Sequence, residues 1–143
     1  MSHNTETIES LNELLQGEYM AIESFNNFIS RVDDDRVKDC FKDIQQKHRK
    51  NIDKLATYIQ DIGGQPNESL GMKGKMGEMQ LNMSLGSKAD TGAIVEKAIE
   101  GEVKGVNMAE KVLRGNLDDK SRDLTGEVLE RDRESIDMLR RLI

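Results

Sequence analysis

Tryptophan is absent from this chain, proline and cysteine occur once each, and aromatic residues make up only 3% of it. A lone cysteine, Cys40, cannot close an internal disulfide, so a disulfide-stapled secreted scaffold is excluded and the cytosol becomes the natural compartment. A lone proline, Pro66, leaves long stretches of chain with no helix breaker. No apolar run approaches the roughly 20 residues that span a bilayer. The start, Met1-Ser2-His3-Asn4-Thr5, has no basic-then-apolar leader pattern, and His3 is expected in a disordered tail. Basic excess is missing as well: the formal net charge is −6, which argues against a nucleic-acid partner because no net positive surface is left to neutralise phosphates. A phosphate-cradling glycine loop, a serine triad and zinc-type Cys/His spacing are also lacking.

What is present favours helices. Leu, Ile, Met, Glu, Lys and Arg are plentiful, a third of the chain is charged, and 143 residues suffice for a single domain, 1–143, with a sizeable core. Thr5 or Thr7 is placed to cap a first helix. Ile8, Leu11, Leu15, Glu18, Ile22, Phe25, Ile29 and Val32 then recur at steps of three and four, one face of a helix interrupted only by Glu18. Asp33-Asp34-Asp35 ends that helix and caps the next. The second stripe is Val37, Phe41, Ile44, His48, Ile52, Leu55 and Ile59, with His48 as its one polar member. Ile62-Gly63-Gly64-Gln65-Pro66 is a firm stop. The first hairpin therefore covers about 5–62.

From 63 to 90 the chain reads as a crossover in which Gly and Met dominate. Met72, Met76, Met79 and Met83 predict a short amphipathic helix between Ser69 and Gly86, packing adaptably on the rest, with a metal-binding or oxidation-sensing cluster as the alternative. The second hairpin, 91–143, opens at Asp90 or Thr91. Its stripes are Val95, Ile99, Glu102, Val106, Ala109 and Leu113, then, after Asp118-Asp119, Leu124, Val128, Asp132, Ile136, Leu139 and Ile143.

The two hairpins echo each other. Laying 11–59 over 95–143 without a gap pairs Gly17-Glu18 with Gly101-Glu102, Asp34-Asp35 with Asp118-Asp119, and Leu55 with Leu139. Two similar hairpins joined by a long crossover make an antiparallel four-helix bundle of the ferritin-like kind. Each stripe leaves one polar residue inside: Glu18, His48, Glu102 and Asp132. At a rise of about 1.5 Å per residue, Glu18 before the first turn and His48 after it reach nearly the same height, and the repeat places Glu102 and Asp132 likewise. Three carboxylates sharing one layer repel each other unless some are protonated or a cation joins them. Oxygen donors with one imidazole suit iron, manganese or zinc. The bland alternatives are a Glu18 at the stripe's margin, a hydrogen-bonded core histidine, and a fourth helix turned so that Arg131 and Arg133 draw Asp132 into water. Cys40 pairs with Leu124 in the repeat and is expected to be a buried small hydrophobe; Tyr19 and Tyr58 are expected to flank the layer as amphipathic packing.

Gly17-Glu18-Tyr19-Met20-Ala21 resembles the first-helix motif of rubrerythrin-type ferritin-like proteins, where the Glu is an iron ligand, and Gly101-Glu102 matches the third-helix counterpart. A closer likeness is to the bacterial domain-of-unknown-function 2383 family, with its Gly-Glu, short hairpin, Gly-Gly-x-Pro, crossover helix and second Gly-Glu, from about Ile8 to Leu142. In di-iron members of the superfamily, helices 2 and 4 each supply Glu-x-x-His. Here helix 2 offers Gln45-Gln46-Lys47-His48 and helix 4 offers Leu129-Glu130-Arg131-Asp132, with Glu127 and Glu130 as nearby acids. The resemblance thus implies a reduced site drawn from Glu18, His48, Glu102, Asp132, Gln45 and Glu130, and argues against di-iron oxygen chemistry. Two functions stay open: a metal-binding protein linked to redox or metal stress, or a metal-free stress or assembly protein acting through bundle association. Any enzyme built on such a site would be a metal-dependent oxidoreductase. A homodimer or higher homo-oligomer is expected, but no ferritin-type cage, since nothing follows helix 4 to make a fifth.

Overall fold

The structure, a computed structural model, describes residues 2–68 and 90–143. Among these residues the chain forms four α-helices and no strand: α1 (Ser2–Arg31), α2 (Asp35–Asp61), α3 (Thr91–Leu113) and α4 (Asp119–Arg140). The expected Met-rich crossover helix lies outside the described residues.

Aspartate starts three of the four helices. Asp34 accepts from the Arg36 and Val37 amides, Asp90 from Ala93 at 2.7 Å, and Asp118 from Ser121 at 2.8 Å, each satisfying amides that the helix itself cannot. Helix α1 begins earlier than Thr5 or Thr7 suggests. Thr7 is 1% exposed, and the Asn4 amide donates to the Ile62 carbonyl at 3.0 Å, so the first turns pack on the end of α2 and the helix runs back to Ser2, taking residue 3 out of any tail.

The end of α2 depends on its two glycines. Gly63 has φ +87°, and the Gly63 and Gly64 amides return to the Gln60 and Ile59 carbonyls at 3.0 and 2.8 Å, a Schellman closure. A Cβ on Gly64 would sit 2.9 Å from methyls of both Ile8 and Ile59, so the chain passes there only without one. Beyond it, Asn12 grips residues 65 and 67, and Gln16 donates to the Asn67 carbonyl at 2.8 Å, laying the exit segment along α1.

Among the described residues the core divides into two apolar clusters. Leu11, Leu14, Leu15, Leu55, Ile59 and Val128 belong to one. The other holds Phe25, Phe28, Val32, Phe41, Ile44 and Val95, and with them every phenylalanine in the chain. The rings of Phe25 and Phe28, and of Phe25 and Phe41, meet edge-on at 5.5 Å. Between the clusters each helix contributes a polar residue. The inward stripes are as expected in outline, but Ile52, Ile99, Leu113 and Leu124 are only partly buried, and polar residues outside the stripes, Thr7, Ser121, Thr125 and Ser135 among them, are enclosed. Gln45 and Asn51 are buried beside His48 on α2, which is therefore not its only polar core residue, while Ile143, placed inward by periodicity, is 66% exposed because α4 ends at Arg140. Among the described residues no helix is long and apolar enough to cross a membrane.

Candidate metal centre

Glu18 of α1, His48 of α2, Glu102 of α3 and Asp132 of α4 are brought together between the two apolar clusters, each 3–5% exposed. All four are buried, so the marginal placement of Glu18 and the outward rotation of α4 are not what forms. The four do not make a ring of equals. His48 lies at the centre, its Nδ1 against Glu18 Oε2 and its Nε2 2.5 Å from Glu102 Oε1. Asp132 approaches from the Nδ1 side, its Oδ1 3.9 Å from that nitrogen, with its other oxygen beside Gly105 of α3. The ring of Phe25 covers the imidazole at 5.9 Å between centroids.

The charges follow from this arrangement. An imidazole that donates to two carboxylates must carry both protons. Burial pushes His48 down, but Glu18 and Glu102 outweigh it and hold the imidazolium well above its usual range. One cation cannot balance three carboxylates. Burial, then the neighbouring Glu18 and Glu102 against the opposing pull of His48 and Arg131, raises Asp132 to about 9 and leaves it protonated at neutral pH. Two buried oxygens still lack a partner, Asp132 Oδ1 and Glu102 Oε2, and buried polar atoms in that condition cost free energy unless something satisfies them.

The family model for the domain of unknown function DUF2383 matches residues 6–115, three quarters of the chain and three of the four residues just described. The chain belongs to this family. No curated protein matches it. Among solved structures, this DUF2383 chain is similar to a two-domain protein from Anabaena variabilis with DJ-1/ThiJ/PfpI-like and ferritin-like domains, at 16% identity and a TM-score of 0.78. That match covers 97% of this chain and 36% of the other, so the chain spans about a third of that protein's length. It is similar as well to a dodecameric thioferritin, the bacterioferritin-related protein of Bacteroides fragilis (16% identity, TM-score 0.78, 96% and 83% covered). A third is a ferritin-like, diiron-carboxylate protein of Bacillus anthracis (22% identity, TM-score 0.75, 99% and 98% covered). At these identities the likeness establishes the ferritin-like fold.

The residues present do not fit two ions. Gln45 stands where the resemblance puts a carboxylate, and its amide donates to the Ile22 carbonyl and Asn26 Oδ1 at 2.9 and 2.8 Å, tying it to α1. On α4 the matching position is Leu129, packed in an apolar cluster. Glu127 and Glu130 do not join the layer. Both are exposed and line an open groove of about 520 Å³ between α2 and α4, where Glu127 pairs with Lys54 at 3.3 Å.

The donors fit one ion better. Glu18, His48 and Asp132 each offer an atom within 4.8 Å of the other two. Donors about 2.1 Å from a shared ion stand roughly 3–4 Å apart, so a small contraction closes the set. Of the flanking residues, Tyr19 packs on the Leu-rich cluster, while the Tyr58 hydroxyl points to Asp118 and Ser121 at the foot of α4. Cys40 is half-buried, not fully enclosed; burial first, then Asp43, raises its thiol against a smaller opposing effect of Arg36, so it stays protonated. Sequence periodicity missed Asn51, which is wholly buried and accepts from Arg131 Nη1 at 3.0 Å; its spacing, three residues after His48 and four before Leu55, was its only signal.

Proposed function

We propose that this chain is a metal-binding ferritin-like protein that holds one ion of iron, manganese or zinc in its core through Glu18, His48 and Asp132. The observation that carries this is Asp132 Oδ1, a buried and unpartnered oxygen 3.9 Å from an imidazole nitrogen that already faces a second carboxylate. Oxygen and imidazole donors suit all three metals without selecting one. An ion held there supplies Lewis acidity and, for iron or manganese, redox capacity. The residues' own part is to bind and to release protons: His48 must give up the Nδ1 proton and Asp132 its carboxyl proton before both can ligate, so uptake is coupled to proton loss. No residue is assigned a catalytic role. A single domain acting in the cytoplasm under metal or redox stress is the setting this function implies.

One observation favours a metal-free alternative. Both ring nitrogens of His48 are already engaged by Glu18 and Glu102, so the layer can hold helix register as a proton-loaded ion-pair network, with the bundle acting by association. Elemental analysis separates the two. Protein purified from metal-supplemented growth is expected to carry close to one ion per chain, and Glu18→Ala with His48→Ala to carry none. A metal-free wild-type product would sink the proposal and leave the association role, which size-exclusion chromatography then tests through the oligomeric state.

A further inference from the structure

Resting on that metal-binding function, we infer that Glu102 is a positioning residue for His48 and not a ligand, so that the two Gly-Glu motifs do different work. The repeat presents Glu18 and Glu102 as equivalents, but the opposite wall is unequal: His48 faces them from α2, and its counterpart on α4 is Asp132. One imidazole therefore serves two glutamates from its two edges, Glu18 at Nδ1 and Glu102 at Nε2. A neutral imidazole has one N–H and one lone pair. With the proton kept on Nε2 and accepted by Glu102 at 2.5 Å, the lone pair is on Nδ1, the edge faced by both Glu18 and Asp132.

The alternative places the ion on the Nε2 edge with Glu102 as its carboxylate. The donor count opposes it. Among the described residues, the single group of three His, Cys, Asp or Glu donors close enough to share an ion is Glu18, His48 and Asp132, and Glu102 stands outside it. A carboxylate on the far nitrogen fixes the tautomer, sets the ring's orientation and makes the ligating nitrogen more basic. The fold supports that role. Glu102 sits on α3 between the buried Ala98 and Val106, so its backbone is held by core packing on either side of the layer.

Cobalt(II) titration of the full chain tests this, because its visible bands report the donor set and its paramagnetism shifts protons on the ligating ring. Wild type is expected to take one Co²⁺ per chain and to show one solvent-exchangeable, strongly shifted imidazole N–H resonance. The isosteric Glu102→Gln keeps an acceptor for that N–H. It is expected to retain the stoichiometry, the visible band at saturation and the shifted resonance, with affinity lowered about 10- to 100-fold. Glu18→Gln and Asp132→Asn, checked for folding by circular dichroism, are expected to lose the wild-type band. A Glu102→Gln protein whose saturated band is altered, or that binds no Co²⁺ while wild type does, would falsify the assignment and spare the metal site. Wild type that binds no Co²⁺ overturns the metal site itself.

Discussion

At the scale of single residues, the layer is a place where stability and binding oppose each other. In the metal-free protein both shifted groups hold protons more tightly when folded than when unfolded. Asp132 rises from 3.8 to about 9 and His48 rises well above 6.5. Between those limits the folded chain binds more protons than the unfolded one, so stability falls as pH rises. The Asp132 contribution erodes from about pH 4 up to about 9, and the His48 contribution from its unfolded value upward. Thermal melts in chelator are thus expected to show a melting temperature that declines from pH 5.5 to 8.5. Asp132→Asn, which mimics the protonated carboxyl, should flatten that decline and be more stable than wild type at pH 8. A profile that rises with pH would contradict the charge assignment. The neighbouring buried hydroxyls raise no such tension. Thr125 and Ser135 donate to the carbonyls one turn back, Ser121 and Arg131, at 2.8 and 3.0 Å, which is why they sit in the core without any signal of function.

Among the helices and their junctions, glycine has two meanings here. Gly63 and Gly64 are structural: one takes a left-handed conformation, the other passes between two isoleucine methyls. Gly63→Ala should cost about 1 kcal/mol by denaturant unfolding. Gly101, in the second Gly-Glu pair, has no such need. A Cβ there meets nothing within 4 Å and the position is exposed, so Gly101→Ala is expected to stabilise by about 0.5–1 kcal/mol. The same denaturant titration distinguishes the pair by opposite signs. Residue order already separates the two uses, since Gly63-Gly64 stand just before Pro66 at the end of an apolar stripe and Gly101 lies within one.

Over the whole molecule, the site ties the hairpins together. Glu18 and His48 come from the first, Glu102 and Asp132 from the second, and the apolar clusters above and below draw on both. A ligand bound across that junction stabilises the bundle as one unit. At a hundredfold excess over its dissociation constant an ion adds about 2.7 kcal/mol, which for a chain of this length raises the melting temperature by about 5–10 °C. Differential scanning calorimetry should show a single transition moving by that amount with wild type and staying in place with Glu18→Ala. Two transitions, only one of them shifted, would mean the layer does not couple the hairpins.

The sequence by itself determined the four described helices, the aspartate caps of three of them, and four of the interior polar residues, Glu18, His48, Glu102 and Asp132. Periodicity, aspartate caps and glycine stops are local and leave their mark on residue order, and a gapless repeat makes the height of Glu18, His48, Glu102 and Asp132 a matter of counting. It did not determine how those four share their contacts. Which nitrogen of His48 meets which glutamate depends on helix rotation and rotamer, and so does the exclusion of Glu130, one residue along from a buried leucine. Gln45 shows the same limit: its burial follows from the width of the α2 face, and its tie to Ile22 and Asn26 follows from the approach of α1. Only the packed bundle makes the two Gly-Glu motifs unequal, because a single imidazole with two distinct edges stands between them.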